Sequence, residues 1–164
     1  MIAGFDFLKT FVGDDSFGDS QIALCLRKMV KKDSVTKIKA LQEFIEHVEN
    51  ENIDLNPALQ FWSRCYCRLS MSGDNRVREL SHQALSKVIA RAKKDYASCL
   101  KTVLPYCILS QADGIATVAV AAKTCFESSF PEDKREQAID FCRFQTYDLI
   151  SSVFDNSNPY LNDK

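Results

Sequence analysis

Helix starts recur along this chain at a spacing of 41 residues, at Asp33, Asp74 and the Gly114–Ile115 step. No other feature restricts the fold as strongly. Asp33 and Ser34 can each accept from the free N–H groups of a first helical turn. Ser72 and Gly73 stop one helix before Asp74 caps the next, and Gly114 breaks the chain again. Each interval holds two helical patterns joined by a short turn. A period of about 40–47 residues is that of HEAT and armadillo arrays, in which a unit buries its apolar side only against the next unit. Seven residues after each start the side chain is small (Ala40, Ser81, Ala121), as close helix approach requires, and Asp-x-x-Val-Arg at Asp74–Arg78 suits the first helix of a HEAT unit. No stretch alternates with period two, so no sheet is expected. The fold class that follows is all-α: a HEAT/armadillo-like helical-repeat solenoid of about seven helices in pairs.

The helix opened by Asp33 is the best marked. Val35, Ile38, Leu41, Phe44, Ile45 and Val48 recur at intervals of three and four and define its buried side. A shorter helix over Ser20–Lys32 precedes it. Asn56–Pro57 places a cap before proline at the first helical position and predicts a helix to about Met71, with Trp62, Phe61 and Tyr66 as core rather than a stacking platform. Helices are expected over 75–94, with Val77, Leu80, Ala84, Leu85, Val88 and Ile89 inward; over 95–111, kinked or restarted at Pro105; over 115–129; and over 131–154. Residues 1–19, with Phe5, Phe7, Phe11 and Phe17, read as an irregular arm. Residues 20–154 form the repeat domain, and 155–164 a loose polar tail.

With 164 residues and 46% apolar content, the chain has material for one domain with a real core. A net charge of −1 gives no long-range pull on nucleic acid or an anionic membrane, so such attraction would have to be local. The charge is segregated. Residues 21–40 carry six basic side chains against one acidic, 41–56 are purely acidic, and 74–101 hold seven basic against three acidic. Seven cysteines, an odd number set in apolar helical segments, fit buried thiols in a reducing compartment; a cytosolic or nuclear location is expected, and of the two the cytoplasm. No leader pattern opens the sequence and no apolar run approaches ~20 residues, so no membrane association is expected.

Little here suits catalysis. His47 and His82 are isolated within helices. Cys65 and Cys67 are two apart on a helix, pointing to opposite sides, and cannot share a metal. No C-x-x-C pair, P-loop, dinucleotide fingerprint or nucleophile elbow occurs. The chain is expected to be non-catalytic, with no cofactor, metal or small-molecule substrate. The functional candidate is the basic cluster Lys28, Lys31, Lys32, Lys37 and Lys39, with Arg76 and Arg78 at the start of the equivalent helix one unit on. Helices one repeat apart lie side by side, so these residues would share a rim, where free helix N-termini would add N–H donors for phosphate. Charge reversal at Lys31, Lys32, Arg76 and Arg78 is expected to weaken binding without unfolding the domain. The competing reading is a solvated charged face. Lys87, Arg91, Lys93 and Lys94 form a second patch, read as plain surface. Leu109–Ala122 reads as tight packing, and the open end at Ile139–Phe154 should expose apolar surface.

Four stretches carry a family resemblance: KKDSVTKIKALQEF at Lys31–Phe44, DNRVREL at Asp74–Leu80, AAKTCFESSFP at Ala121–Pro131 and AIDFC at Ala138–Cys142. In order and without large gaps, they resemble the N-terminal domain of the listerin family of RING-type ubiquitin ligases, over about Ile22 to Phe154. The resemblance implies a docking domain. It would bind large (60S) ribosomal subunits carrying a stalled nascent chain, and the partner protein nuclear export mediator factor. A distant RING, which has no counterpart here, would recruit the ubiquitin-conjugating enzyme. The alternative is a general scaffold or transport adaptor that binds a peptide or helix in the groove of the solenoid.

Overall fold

The computed structural model describes residues 21–50 and 52–161. The Phe-rich arm lies outside them. The described residues form eight α-helices and no strand: α1 (Gln21–Met29), α2 (Ser34–Glu49), α3 (Leu59–Ser70), α4 (Asn75–Ala92), α5 (Leu100–Ser110), α6 (Ala116–Ser129), α7 (Glu132–Phe141) and α8 (Arg143–Phe154). Single 3₁₀ segments, Asn56–Ala58 and Lys93–Cys99, lead into α3 and α5. The expected seven helices are all present, with the last broken at Cys142. No helix among the described residues is long and apolar enough to cross a membrane.

The first residues of α2, α4 and α6 are spaced by 41 residues, and these three helices lie side by side in one layer. Helices α1, α3, α5 and α8 form the second layer, each against the next. The closely packed antiparallel pairs are α1–α2, α3–α4 and α5–α6. They are offset by one helix from pairs counted from Asp33. The reason is connection length: tight turns join these partners, whereas the segments before α3 and α5 are long enough to carry the chain to the next pair.

Helix α3 is the centre of the core. It is flanked by α1 and α5 and backed by α4, so it is buried on nearly every side, Cys65 and Cys67 included. The Phe44 and Trp62 rings stack at 4.5 Å between centroids, Tyr66 follows Trp62 at 6.2 Å, and His82 meets Tyr66 edge-on at 5.7 Å. Such contacts add about 0.5–1.5 kcal/mol each beyond area burial. The Tyr66 hydroxyl lies 3.0 Å from His82 Nδ1, and the Tyr96 hydroxyl 2.8 Å from Ser63 Oγ, so both buried phenols are satisfied. Ala40 and Ser81 are fully buried at helix crossings, as expected, but Ala121 is only half-buried and Ala122 takes the packed position.

Other departures have local causes. Val35, in the first turn of α2, is 59% exposed and falls outside the apolar stripe. Helix α5 starts at Leu100 rather than Asp95 and runs through the buried Pro105. The hydrogen bond that proline removes belongs to the carbonyl of Lys101, a solvent-exposed residue. The described part of the tail expected to be loose, residues 155–161, folds back: Asn158 is buried, its backbone N–H donates to Ser152 O at 3.0 Å, and Tyr160 packs edge-on against Tyr106. Arg91, expected as plain surface, donates to the carbonyls of Val48, Asn50 and Ile53 at 2.7–2.8 Å. It closes the end of α2 and ties the long connection to α4.

Replacing Arg91 by Ala is expected to cost about 1.5–3 kcal/mol in a denaturant titration. Arg91→Lys should recover little, because a single ammonium nitrogen cannot occupy both positions from which Nη1 and Nη2 reach these carbonyls. Lys93 sits at φ 49°, ψ −119°, which L side chains rarely adopt. That strain is worth about 1–3 kcal/mol against about 0.5–1 for glycine's added unfolded-state freedom. Lys93→Gly should therefore raise stability by about 1 kcal/mol, read as an increase in the urea midpoint.

Candidate functional site

Because α2, α4 and α6 are neighbours, their N-terminal ends line one rim. Aspartates cap α2 and α4, and a third, Asp113, lies in the turn two residues before Ile115, the cap position of α6. The Asp33 carboxylate accepts from Thr36 N–H at 2.7 Å, Asp74 from Arg76 and Val77 N–H at 2.9 and 3.2 Å, and Asp113 from Ile115 N–H at 2.9 Å. At α2 and α4 some of the N–H groups expected to be offered to phosphate are thus occupied by carboxylates, since a short acidic side chain one residue before a helix satisfies them locally, whereas α6 has no side-chain cap. The Thr36 hydroxyl, followed by the Thr36 backbone N–H, holds the Asp33 carboxyl below its ordinary value and keeps it charged.

The seven basic residues predicted for the rim divide into two groups. Lys28 on α1 is held by Glu43 of α2 at 2.8 Å. The Glu43 hydrogen bond raises the lysine, and the same bond lowers the carboxylate. Arg76 pairs with Glu79 one turn on, at 2.7 Å. Lys37 is half-buried and already engaged. Arg78 is the most firmly held: with a side chain only 15% exposed, it makes two hydrogen bonds to Asp113 at 2.8 and 3.2 Å and one to Ser72 O at 2.8 Å. The expectation that Arg78 could be reversed without harm to the fold is corrected by this geometry. Lys31, Lys32 and Lys39 are exposed, with no ion pair among the described residues.

Sequence reasoning missed the Arg78–Asp113 clasp, although the period held a signal for it. Arg78 stands four residues after the α4 cap, and Asp113 lies in the turn just before the next helix of the layer, so a base in one unit faces the turn that opens the following one. Lys37 occupies the equivalent place one unit earlier.

Two further surfaces stand out. Over α4, between the walls formed by α2 and α6, lies an apolar groove of about 650 Å³ lined by Ile45, His82, Val120, Ala121 and Cys125, with Glu79 and Lys87 at its edges. Leu109–Ala122 was read as tight packing, yet Val120 is 63% exposed here. The second is the free side of α7 and α8, where Ile139, Phe141, Phe144, Tyr147 and Phe154 are exposed, as expected for an open end. All seven cysteines are buried and unpaired. Burial pushes the Cys65 and Cys67 thiols well up, and burial, then the Glu43 charge, pushes Cys25 up to about 11. Among the described residues, no group of three His, Cys, Asp or Glu side chains could hold a metal ion.

Two layers of stacked helices with a charged rim and an uncovered apolar end define an all-α helical-repeat protein. The family model described as "E3 ubiquitin-protein ligase listerin, N-terminal domain" matches residues 15–164, and the chain belongs to that family. It is 42% identical to the E3 ubiquitin-protein ligase listerin of Mus musculus over 130 residues, which is 79% of this chain and 7% of the mouse protein. To the listerin of Gallus gallus it is 35% identical over 146 residues, 88% of this chain and 8% of the relative. The Schizosaccharomyces pombe listerin is 26% identical over 71% of the chain. The chain thus spans less than a tenth of the length of these relatives. No solved structure matches it.

The clasp gives a pH-dependent prediction. Burial raises the Asp113 carboxyl, but the Arg78 hydrogen bond, the Ile115 N–H and the Arg78 charge outweigh it and hold the group below its ordinary value. A carboxyl depressed by folding contributes stability above its unfolded pKa of about 3.9, and that contribution is lost as pH falls through the folded value. Arg78→Ala should cost about 2–3 kcal/mol at pH 7. The gap from the parent protein should shrink below about pH 4 in denaturant titrations, whereas Arg76→Ala should stay within about 0.5 kcal/mol at either pH.

Proposed function

We propose that this domain is the docking end of a listerin-type ubiquitin ligase. It holds the ligase on large ribosomal subunits that carry a stalled nascent chain, in the cytoplasm and beside the partner protein nuclear export mediator factor. A RING elsewhere in the polypeptide then ubiquitinates the chain. Membership of the listerin N-terminal family, over nearly the whole chain, is the observation that carries the reading.

In this reading Lys31, Lys32 and Lys39 make the polar contact, with rRNA phosphate as its counterpart. They are solvated ammonium groups on a rigid turn and helix, so little ordering cost opposes their engagement. Arg76 can join by leaving Glu79, an exposed pair that competes weakly with a polyanion. Lys28, Lys37 and Arg78 serve the fold first.

The test is co-sedimentation with purified large subunits across a salt series, with and without the partner protein. Binding should weaken steeply with salt and strengthen with the partner. K31E/K32E/K39E should lower the slope of log affinity against log salt by about 2–3, at about 0.7–0.9 per lost phosphate contact. An unchanged slope would remove these lysines from the interface. The groove over α4 supports a second reading, a scaffold that takes a partner peptide, through its apolar lining and the exposed Val120. Salt-insensitive binding abolished by Val120→Asp would favour it.

A further inference from the structure

Lys93 and Lys94 follow the last residue of α4, and the backbone there is unusual. Successive residues of a helix turn about 100° apart, so neighbouring side chains ordinarily leave it on different sides. Here the positive φ of Lys93, 49° with ψ −119°, redirects the chain, and both lysines line one cavity. The residue carries a strain that glycine would not. Non-glycine outliers of this kind collect where a ligand is clamped, so the cavity is the place to look for one.

The cavity holds about 460 Å³ and lies between the C-terminal halves of α4 and α6. Ile89, Leu100 and Phe130, all half-buried, supply its apolar lining, and the Ser86 and Ser128 hydroxyls, 3.1 Å apart, join its two walls. Phe130 is tilted against Phe126 at 5.3 Å between centroids, so its ring is partly covered by its own neighbour. The carboxylates on the adjoining stretches of α2 and α6 are already engaged. Glu49 pairs with Lys87 at 2.6 Å, and Glu127 lies 3.8 Å from Arg135 and 4.0 Å from Lys123. Lys93 and Lys94 are exposed and make no ion pair among the described residues, and Asp95, next along the chain, pairs with neither.

Two ammonium groups without counter-charges beside an apolar hollow select for a ligand that carries both features. A nucleic-acid backbone would meet the lysines but leave the hollow empty, since it has no aliphatic group and finds no fully open aromatic face to stack on. An uncharged apolar segment would fill the hollow and leave the lysines unused. A peptide with an aliphatic side chain beside glutamates or aspartates uses both. We infer that this cavity is a docking site for an acidic protein segment, anchored by one leucine, isoleucine or methionine in the hollow and by carboxylates on Lys93 and Lys94. The site lies at the C-terminal edge of the α2–α4–α6 layer, away from the rim, and the inference stands whether or not the rim binds ribosomes.

Binding of synthetic peptides of about twelve residues to the chain, read by fluorescence anisotropy, tests it. The probes are acidic peptides with one leucine, isoleucine or methionine between pairs of glutamates, beside matched sets in which that residue is alanine or the glutamates are glutamines. At least one acidic, anchored peptide should bind with a Kd below about 1 mM, and its matched controls about tenfold more weakly. K93E/K94E should lower that affinity by about tenfold as well. Lys93→Gly is the sharper variant. It should raise the urea midpoint, as relief of strain requires, and still weaken the peptide severalfold, a combination that a purely structural lysine would not give. Three results would each overturn the inference: no acidic peptide bound at about 1 mM, binding untouched by K93E/K94E, or a single-stranded RNA that binds through the same two lysines as tightly as the peptides.

Discussion

A helix in this array can bury its apolar side only against the next helix, and the remaining features of the structure follow from that dependence. The dependence is greatest at α3, which is sealed on nearly every side and joins the layers through the run Phe44, Trp62, Tyr66 and His82. A side chain removed from this run leaves a cavity bordered by two layers, neither of which can close without the other moving. Two of the hydroxyls admitted to the core are satisfied there, Tyr66 on His82 Nδ1 and Tyr96 on Ser63, whereas Trp62 Nε1 and His82 Nε2 are buried without a hydrogen-bond partner among the described residues. The same dependence explains the ends. A layer that grows by lateral contact stays open wherever no further helix is supplied, and the aromatic stripe of α8 is the visible form of that opening.

Polar contacts hold the successive units in register. Packing between smooth apolar ridges tolerates small slides along the helix axis, whereas charged hydrogen bonds do not. Arg78 reaches from α4 to Asp113 in the turn before α6, and Arg91 reaches back from α4 to carbonyls at and after the end of α2, so one helix is fastened near both of its ends. In the sequence, Arg78 looked like part of a ligand surface and Arg91 like plain surface. Their burial reassigns them, and it moves the candidate interface toward the α1–α2 turn, where Lys31 and Lys32 stand free of acidic partners among the described residues.

How far the sequence could be read follows from which forces leave a local trace. Capping and amphipathic period are local, so the starts at Ser34, Asn75 and Ala116 and the burial of Leu41, Phe44, Trp62 and Leu85 were legible. The side-by-side order of α2, α4 and α6 followed from the period alone. Which charges are spent on the fold was not legible, since Lys28, Arg78 and Arg91 find their partners 15, 35 and 38–43 residues away. The strained turn at Lys93 left no mark either, because the residue there is not the glycine that such a conformation favours. The groove over α4 was hidden for a related reason. Small residues such as Ala116 and Ala121 read equally well as close packing or as an open wall, and only the position of α2 across from them decides.

The rim and the packing between helices ask different things of the same stack, and the charge distribution keeps them apart. Lysines that await a polyanion are useful only where competing carboxylates are already engaged. On the rim, Asp33 and Asp74 accept from helix N–H groups, Asp113 is held by Arg78, and Glu43 and Glu79 are taken by Lys28 and Arg76. The packing between helices is mainly apolar, so salt should hardly affect it, while contact at the rim should depend strongly on salt. A stack built this way can release a charged partner as ionic conditions change without loosening its own joints.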